Sequence, residues 1–550
     1  MKRINIILLF FILCITFNIK VLAASPDLVI SGGELGTDYT YEDGVVSIIN
    51  SNSYEISMAE GVEESSDQIV INYSDTLKTI NLTLNNVNLK TDEISNIRIN
   101  YPPSATSADL KVNLILKGSN SLVASHHPYN NPRILGELII SSDGGSLTTE
   151  ATEPPNDGYN NLNSAKVTLE SGTVTMKDQI IMTGEGIYIK GGELNITSQD
   201  ECLYSNGEII ISGGNTKLTS DSACAIHMVG NNISAASGGL QIIGDANLDI
   251  KTKGTISSAS IFAGTRGGPE DILIDTTGKI NIESNALGIA DSKANGIILN
   301  NNSSLTINNG TINITGARYG VYSNSANSTI TVNGGETEIT STSNGVVLQQ
   351  STQKTITFGE EYFHKNYHGT EMASRAEVDD ASLTNSNGRS NKYVLITPAY
   401  TIDYDLGEGA LEEGIENPTK YTRIDTFTLN NPIPNDETAT FIGWSGTDLE
   451  DLTENVTISE NSTGNRSYKA NYIKESGNEE EPDNKEDTNN IINPNTSFKY
   501  NPKINNIAKK FDNIKTSNNN IAYIVVITLS IISAFCISCI LFLKKKKEFR

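Results

Sequence analysis

The chain has 550 residues, with 65 Asp and Glu against 40 Lys and Arg and a formal net charge of -25 at pH 7. This charge argues against a nucleic-acid-binding protein, because affinity for nucleic acid comes mostly from Lys and Arg that neutralise phosphates. Aromatic residues make up 6% of the chain, with one Trp, whereas Gly reaches 45 residues. The composition excludes a large aromatic-rich core and favours a β protein with many short strands and tight turns.

The N-terminal segment, residues 1–23, predicts a secretory signal peptide. Lys2 and Arg3 form a basic start, an apolar run extends from Ile6 to Thr16, and the segment ends on Ala23. A basic region, a short apolar region and a small residue at the exit are the three parts of such a signal. We therefore expect the mature chain to begin near Ala24, outside the cytoplasm.

The middle of the chain, residues 24–398, contains a short repeat. Strand-like stretches with alternating apolar residues follow the glycines at Gly145, Gly172, Gly192, Gly214, Gly310 and Gly335. Each unit is too small to bury its own apolar face, so neighbouring units must stack. The sequence thus predicts an all-β protein whose main part is a right-handed parallel β-helix.

Two cysteines, Cys202 and Cys224, lie in this repeat, ten residues after Gly192 and Gly214 respectively. Equal offsets predict that they are neighbours on adjacent rungs. A disulfide is geometrically allowed at that separation, and a pair of buried thiols that act as small apolar side chains is the alternative.

The character of the chain changes after the repeat. Residues 399–473 hold the one Trp and several Tyr and Phe on alternating strands, which predicts a small separate β module. Residues 474–520 are rich in Asn and charge and poor in aromatics, which predicts a disordered stalk. Residues 521–543 carry no charge and are long enough to span a membrane, and the lysines of the 544–550 tail place the C-terminus in the cytoplasm.

The 399–473 module resembles the internalin-type B repeat, also called the Listeria–Bacteroides repeat. The resemblance rests on Tyr404, Asn417-Pro418-Thr419 with Tyr421, Phe441-Ile442-Gly443-Trp444 and Tyr468-Lys469-Ala470-Asn471-Tyr472. Tyr472 stands where that family has a closing Trp. The resemblance implies a spacer or adhesive unit without catalytic activity.

Residues 27–350 are similar to the bacterial carbohydrate-binding β-helix proteins, which have a pectate-lyase-like fold. The resemblance rests on Asp38-Tyr39-Thr40-Tyr41, the stretch Leu82 to Leu89, and the glycine-led rungs. It implies binding of acidic polysaccharide with calcium as the cofactor. In that family an acidic pair often precedes a Gly after each glycine-led strand.

The acidic turns of this chain supply the candidate metal ligands, which are Asp157, Asp200, Glu201 and Asp221, with Asp178 as a further one. Calcium takes six to eight oxygen ligands, and stacked turns can provide them from neighbouring rungs. The alternative is that these acids only stabilise turns, where Asp and Asn are common because they hydrogen-bond their own backbone.

The sequence as a whole predicts a membrane-anchored bacterial surface protein that binds a polysaccharide, or another host or envelope ligand, without turnover. One alternative is a polysaccharide lyase or glycoside hydrolase, for which Arg266 in a Gly-rich loop is the available basic residue. The other is a structural spacer that contacts protein.

Overall fold

The computed structural model describes residues 26–474, except for 106–108, 132, 154–160, 222–223, 230–238, 254–258, 265–268, 286–287, 289–293, 324, 326, 343–344, 350–355 and 384–390. The described residues belong to one compact unit. The predicted signal peptide, stalk, membrane span and tail lie outside the described residues. Within residues 26–474, no helix is long and apolar enough to cross a membrane.

The described residues form strands joined by turns, with one 3-10 turn at Met372–Ser374. The strands up to residue 151 are β1 Leu28–Ser31, β2 Tyr39–Glu42, β3 Val45–Ile48, β4 Ser53–Met58, β5 Gln68–Asn72, β6 Thr79–Asn85, β7 Asn88–Lys90, β8 Ile97–Asn100, β9 Lys111–Lys117, β10 Ser119–Ala124, β11 Tyr129–Asn130, β12 Glu137–Ser142 and β13 Ser146–Ala151. The next are β14 Asn161–Leu169, β15 Thr173–Lys177, β16 Ile180–Ile189, β17 Glu193–Ser198, β18 Leu203–Ser205, β19 Glu208–Ile211, β20 Asn215–Ser220, β21 Ile226–Met228, β22 Leu240–Gly244, β23 Asn247–Thr252, β24 Ala259–Ala263, β25 Ile272–Ser284, β26 Asn295–Leu299, β27 Leu305–Gly316, β28 Tyr319–Ser323, β29 Ile330–Val332, β30 Glu336–Ser341, β31 Gly345–Gln349 and β32 Thr357–Phe358. The last are β33 His364–Gly369, β34 Ala376–Val378, β35 Tyr393–Pro398, β36 Tyr400–Asp405, β37 Gly409–Ala410, β38 Lys420–Tyr421, β39 Phe427–Thr428, β40 Ile433–Pro434, β41 Ala439–Gly446, β42 Thr457–Ile458 and β43 Arg466–Lys474.

Parallel pairing between successive units builds three long ladders, which together we call the stack. The first ladder runs through β7, β10, β13, β15, β17, β20, β23, the second halves of β25 and β27, and β30. The second runs through β16, β18, β21, β24, β26, β28 and β31. The third runs through β4, β6, β9, β12, β14, β16, β19, β22, β25, β27, β29 and β32. The all-β prediction is confirmed, and the pairing is compatible with a parallel β-helix.

The glycine-led repeat sets the register of the first ladder. Thr173 pairs with Glu193, and Glu193 pairs with Asn215, so each residue that follows a repeat glycine faces its equivalent on the next rung. Gly192 has φ +78°, and a Cβ there would lie 2.3 Å from the carbonyl oxygen of Gly172. Turns that stack this closely need glycine, which explains the repeat.

Inward-facing side chains of the ladders form the core. On the first ladder, alternate residues of successive rungs fall in line and are at most 1% exposed: Leu147, Val174, Leu194, Thr216, Leu248, Ile280 and Ile312. Successive strand residues point to opposite faces, so the alternating pattern buries one set and leaves the other outside.

The two cysteines are offset from each other by one residue. Ser198 pairs with Ser220, but Leu203 pairs with Ile226. The turn from Ser220 to Ile226 is therefore one residue longer than the turn from Ser198 to Leu203, and Cys202 faces Ala225. Both are buried thiols, and Cys202 Sγ donates to the carbonyl of Thr219 at 3.4 Å. The prediction that they are rung neighbours is therefore wrong by one residue.

Antiparallel strands close both ends of the stack. At the start, β1 pairs antiparallel with β4 and β2 with β3. At the other end, β35 pairs antiparallel with β30 and with β33, which also pairs with β34. Such strands cover edges that would otherwise offer unpaired backbone groups to another chain.

Residues 400–474 form a small β module after the stack. Its main sheet has the order β38, β36, β43, β41, and its core contains Trp444, Tyr421, Tyr468 and Ile458, all at most 2% exposed. Trp444 Nε1 donates to Asn431 Oδ1 at 2.9 Å. The one indole of the chain is thus both packed and hydrogen-bonded, as a buried Trp requires.

The module is joined directly to the end of the stack. Ala399 alone separates β35 from β36. Arg423 of the module forms an ion pair with Glu336 on β30, and Glu336 also accepts a hydrogen bond of 2.7 Å from Thr397 Oγ1. Ile424 packs against a small apolar cluster of the cap that includes Tyr367. These contacts fix the module against the last rung.

Candidate ligand-binding face

The second ladder carries an unusual outward-facing row, which we call the aromatic row. The register aligns its members on successive rungs in the order Met182, Tyr204, His227, Phe262, Ile298 and Tyr322. The residues beside them, such as Leu203, Ile226 and Ile261, point inward and are fully buried. The row therefore lies on the outer surface of the sheet, and all its members except Ile298 are partly exposed.

Ring contacts hold the central part of the row in a fixed geometry. The Tyr204 and His227 rings are 5.2 Å apart at an interplanar angle of 81°, and the His227 and Phe262 rings are 5.7 Å apart at 60°. Edge-to-face arrangements of this kind are the favoured ones for aromatic pairs. The three rings therefore form a preorganised, mostly apolar surface.

The outward row of the first ladder differs in chemistry. Its aligned residues are polar or charged on every rung: Thr175, Asn195, Lys217, Asp249, Asn281, Asn313 and Glu338. A polar outer row is the usual solvent-facing side of a sheet. The aromatic row thus differs from the outward row of the first ladder, and an apolar stripe on an exposed face is typical of an interaction site.

A buried carboxylate lies beside the row. Glu201 is 9% exposed, and His227 Nδ1 donates to its Oε1 at 2.9 Å. Burial opposes the charge of Glu201, but the hydrogen bond from His227 helps to outweigh burial, so the pKa of this carboxyl lies below its ordinary value. Glu201 is therefore ionised at neutral pH. Among the described residues, Glu201 Oε2 has no hydrogen-bond partner.

The other predicted metal ligands have the following positions. Asp200 and Asp221 lie on neighbouring rungs next to Glu201, since Ser220 Oγ donates to the Asp200 carbonyl at 2.6 Å and Asp221 N to the Ser198 carbonyl at 2.9 Å. The Asp221 carboxylate forms an ion pair with Lys253. Asp178 occupies a turn with φ +54°, and its N–H donates to the Thr197 carbonyl at 2.7 Å.

The structure therefore places three of the predicted acids, Asp200, Glu201 and Asp221, in adjacent turns beside the central part of the aromatic row. Asp157 and Arg266 lie outside the described residues. Within the part of the chain that the structure describes, no group of three or more His, Cys, Asp and Glu side chains has the geometry of a metal site.

Comparisons with protein-family models, with curated proteins and with solved structures gave no match for this chain. The geometry of the aromatic row and of the acids beside it is therefore the basis for assigning a function.

Sequence reasoning located the acids but missed the aromatic row. Its members are unequally spaced along the chain, because turns of different length separate the rungs. Strands of the second ladder such as β18 and β21 are only three residues long, too short to show a clear alternation. The available signal was a ring or large apolar residue between two buried residues on each of these short strands.

Proposed function

We propose that this chain is a membrane-anchored bacterial cell-surface protein whose right-handed parallel β-helix binds carbohydrate along the aromatic row. Acidic polysaccharide is included among the candidate ligands, as are host and envelope glycans. The module at 399–473 would act as a B-repeat-like spacer or adhesive unit, the stalk would hold the head away from the bilayer, and residues 521–543 would anchor the chain.

The aromatic row is the observation that carries this proposal. A sugar ring has apolar C–H faces and a rim of hydroxyls, so it binds to an apolar surface with hydrogen-bonding groups at its edge. Tyr204, His227 and Phe262 supply the surface, and Glu201 supplies an acceptor. Rungs repeat every ~4.8 Å along the stack, so successive rings can contact successive sugars of a polymer.

Calcium remains part of the proposal at Asp200, Glu201 and Asp221. Burying one oxygen of an ionised carboxylate without a partner is unfavourable. A bound cation or a sugar hydroxyl would satisfy Glu201 Oε2. Calcium would also offset the repulsion between an acidic polysaccharide and these carboxylates.

Binding to glycans should weaken when the rings of the row are removed. We expect Tyr204→Ala and Phe262→Ala each to lower affinity about 10-fold to 100-fold, because a central aromatic contact carries a large share of binding energy. The measurement is a glycan array, followed by calorimetry of the full chain in detergent with the tightest-binding glycan.

Tyr188→Ala is the matched control, because Tyr188 faces outward on the third ladder, away from the row. It should bind like the unmodified chain. An array on which the unmodified chain retains no glycan, with calcium or with chelator, would count against a carbohydrate-binding protein and favour the protein-contacting spacer.

Calcium binding should depend on Glu201. We expect Glu201→Gln to weaken calcium binding at least about 10-fold, because it removes the charge of the buried carboxylate while keeping its shape. Calorimetric titration of calcium into the full chain measures this. Asp249→Asn, on the outward row of the first ladder, is the control and should have no effect. If the unmodified chain and Glu201→Gln bind calcium with equal affinity, calcium does not bind at this site. The glycan proposal would not be affected by that result.

The Glu201–His227 pair favours one second candidate function, hydrolysis or lyase cleavage of a polysaccharide. A carboxylate that holds one imidazole nitrogen orients the ring for proton transfer. The two candidates differ in their products. New reducing ends or unsaturated products from pectin-like or alginate-like polymers, lost in Glu201→Gln, would establish the enzyme and overturn binding without turnover.

A further inference from the structure

A second surface feature lies at the junction of the stack and the module. It is an open cleft of about 530 Å³, and its lining residues include Lys279, Thr311 and Glu336 of the first ladder together with Tyr400 and Arg423 of the module. Clefts between domains are common ligand sites, and this volume is within the usual range for them.

The charges of the cleft differ from those of the chain as a whole. Its charged lining residues are Lys279, Arg423 and Glu336. Two bases and one acid line this cleft, and Glu338 also acts on Arg423 from the same strand as Glu336, so the cleft is close to neutral in a chain whose net charge is -25. An anion that approaches this acidic protein therefore meets less repulsion here than over most of the remaining surface.

The single acid of the cleft is already engaged. Glu336 Oε2 accepts hydrogen bonds from both Arg423 and Thr397. Arg423 uses its Nε in this contact, and the charge of Glu338 also acts on its guanidinium. Lys279 is exposed and its Nζ has no ion-pair partner among the described residues. It lies two rungs from Glu336 in the aligned row Lys279, Thr311, Glu336, a separation on the order of 10 Å.

Uncharged groups line the rest of the cleft. They include Thr277, Asn309, Thr311, Asn313, Thr397 and Asn461, with the Tyr400 ring also in the lining. Amides both donate and accept hydrogen bonds, and hydroxyls do the same, so together they suit a ligand that carries many hydroxyl groups. An aromatic ring adds a surface for an apolar sugar face.

We propose that this cleft is a binding site for a saccharide that carries a carboxylate, with the carboxylate between Lys279 and Arg423 and the hydroxyls on the Asn and Thr side chains. The site is separate from the aromatic row and does not depend on it. It also gives the module a role in recognition, because Arg423 and Tyr400 come from the module and Lys279 from the stack.

The test compares two probes of equal size on the full chain in detergent: a trimer of galacturonic acid and its methyl ester. The ester keeps the hydroxyls and removes the charge. We expect the acid to bind at least about 10-fold more tightly than the ester, with affinity that falls as salt rises, because the ionic contacts are partly exposed.

Lys279→Ala should remove most of this preference, whereas Lys251→Ala should not. Lys251 is an exposed lysine of the same ladder on the preceding rung, outside the cleft lining. Tyr204→Ala and Phe262→Ala should leave the acid preference unchanged, which separates this site from the aromatic row. Equal binding of acid and ester, or an unchanged preference in Lys279→Ala, would overturn the proposal.

Discussion

Trp444→Ala should unfold the 399–473 module while the stack remains folded. Trp444 is fully buried, contacts the Tyr404 and Phe441 rings at 6.1 and 5.7 Å between centroids, and donates to Asn431. Truncating a buried Trp costs about 3–5 kcal/mol. A module of this size has little more stability than that to lose. We therefore expect rapid proteolysis within residues 400–474 and a nearly unchanged far-ultraviolet signal from the stack.

Leu452→Ala is the control for this experiment. Leu452 belongs to the same module but is 48% exposed. Its replacement should change the free energy of unfolding by no more than about 0.5 kcal/mol. Equal protease resistance of the Trp444→Ala and Leu452→Ala variants would show that the indole is not the centre of the module core.

Gly207→Ala should destabilise the stack itself. Gly207 lies in the turn between β18 and β19, and a Cβ there would be 1.7 Å from the carbonyl oxygen of Glu185 on the preceding rung. That contact is with backbone, which cannot move without disturbing the pairing of β16 with β19. We expect the free energy of unfolding to fall by about 3 kcal/mol, measured by urea titration followed by circular dichroism.

Gly144→Ala separates steric overlap from backbone strain. Gly144 has φ +76°, and a Cβ there would meet no atom within 4 Å. Only the strain of a positive φ therefore acts on this variant, and it should lower the free energy of unfolding by about 1 kcal/mol. A larger loss for Gly144→Ala than for Gly207→Ala would mean that turn conformation, and not the close approach of rungs, limits the stability of the stack.

The repeat could be read from the sequence because one local requirement recurs. Each unit needs a glycine at the same turn, and an alternating strand follows it, so Gly172, Gly192 and Gly214 already predict the pairing that the structure has. The cysteine offset could not be read in this way. A single extra residue in the turn before Cys224 changes no composition and no alternation, yet it moves the register of the following strand.

The candidate sites were less accessible to sequence reasoning because they form across rungs and across domains. Asp200 and Glu201 are adjacent in sequence and were predictable as an acidic turn, but the contact of Glu201 with His227 depends on the register of two ladders. The cleft depends on Lys279 and Arg423, which lie far apart in the chain and line one cleft because β35 leads directly into the module.

The one-residue link at Ala399 has a mechanical consequence. A tension applied to the module from its C-terminal side reaches the stack through β35. That strand is hydrogen-bonded along one edge to β30 and along the other to β33, so a pull along its length loads both rows of backbone hydrogen bonds in shear at the same time. The ion pair of Arg423 with Glu336, and with it the geometry of the cleft, lies on this line of force. A protein held at one end and bound to a ligand at the other would thus carry strain through this junction and its cleft.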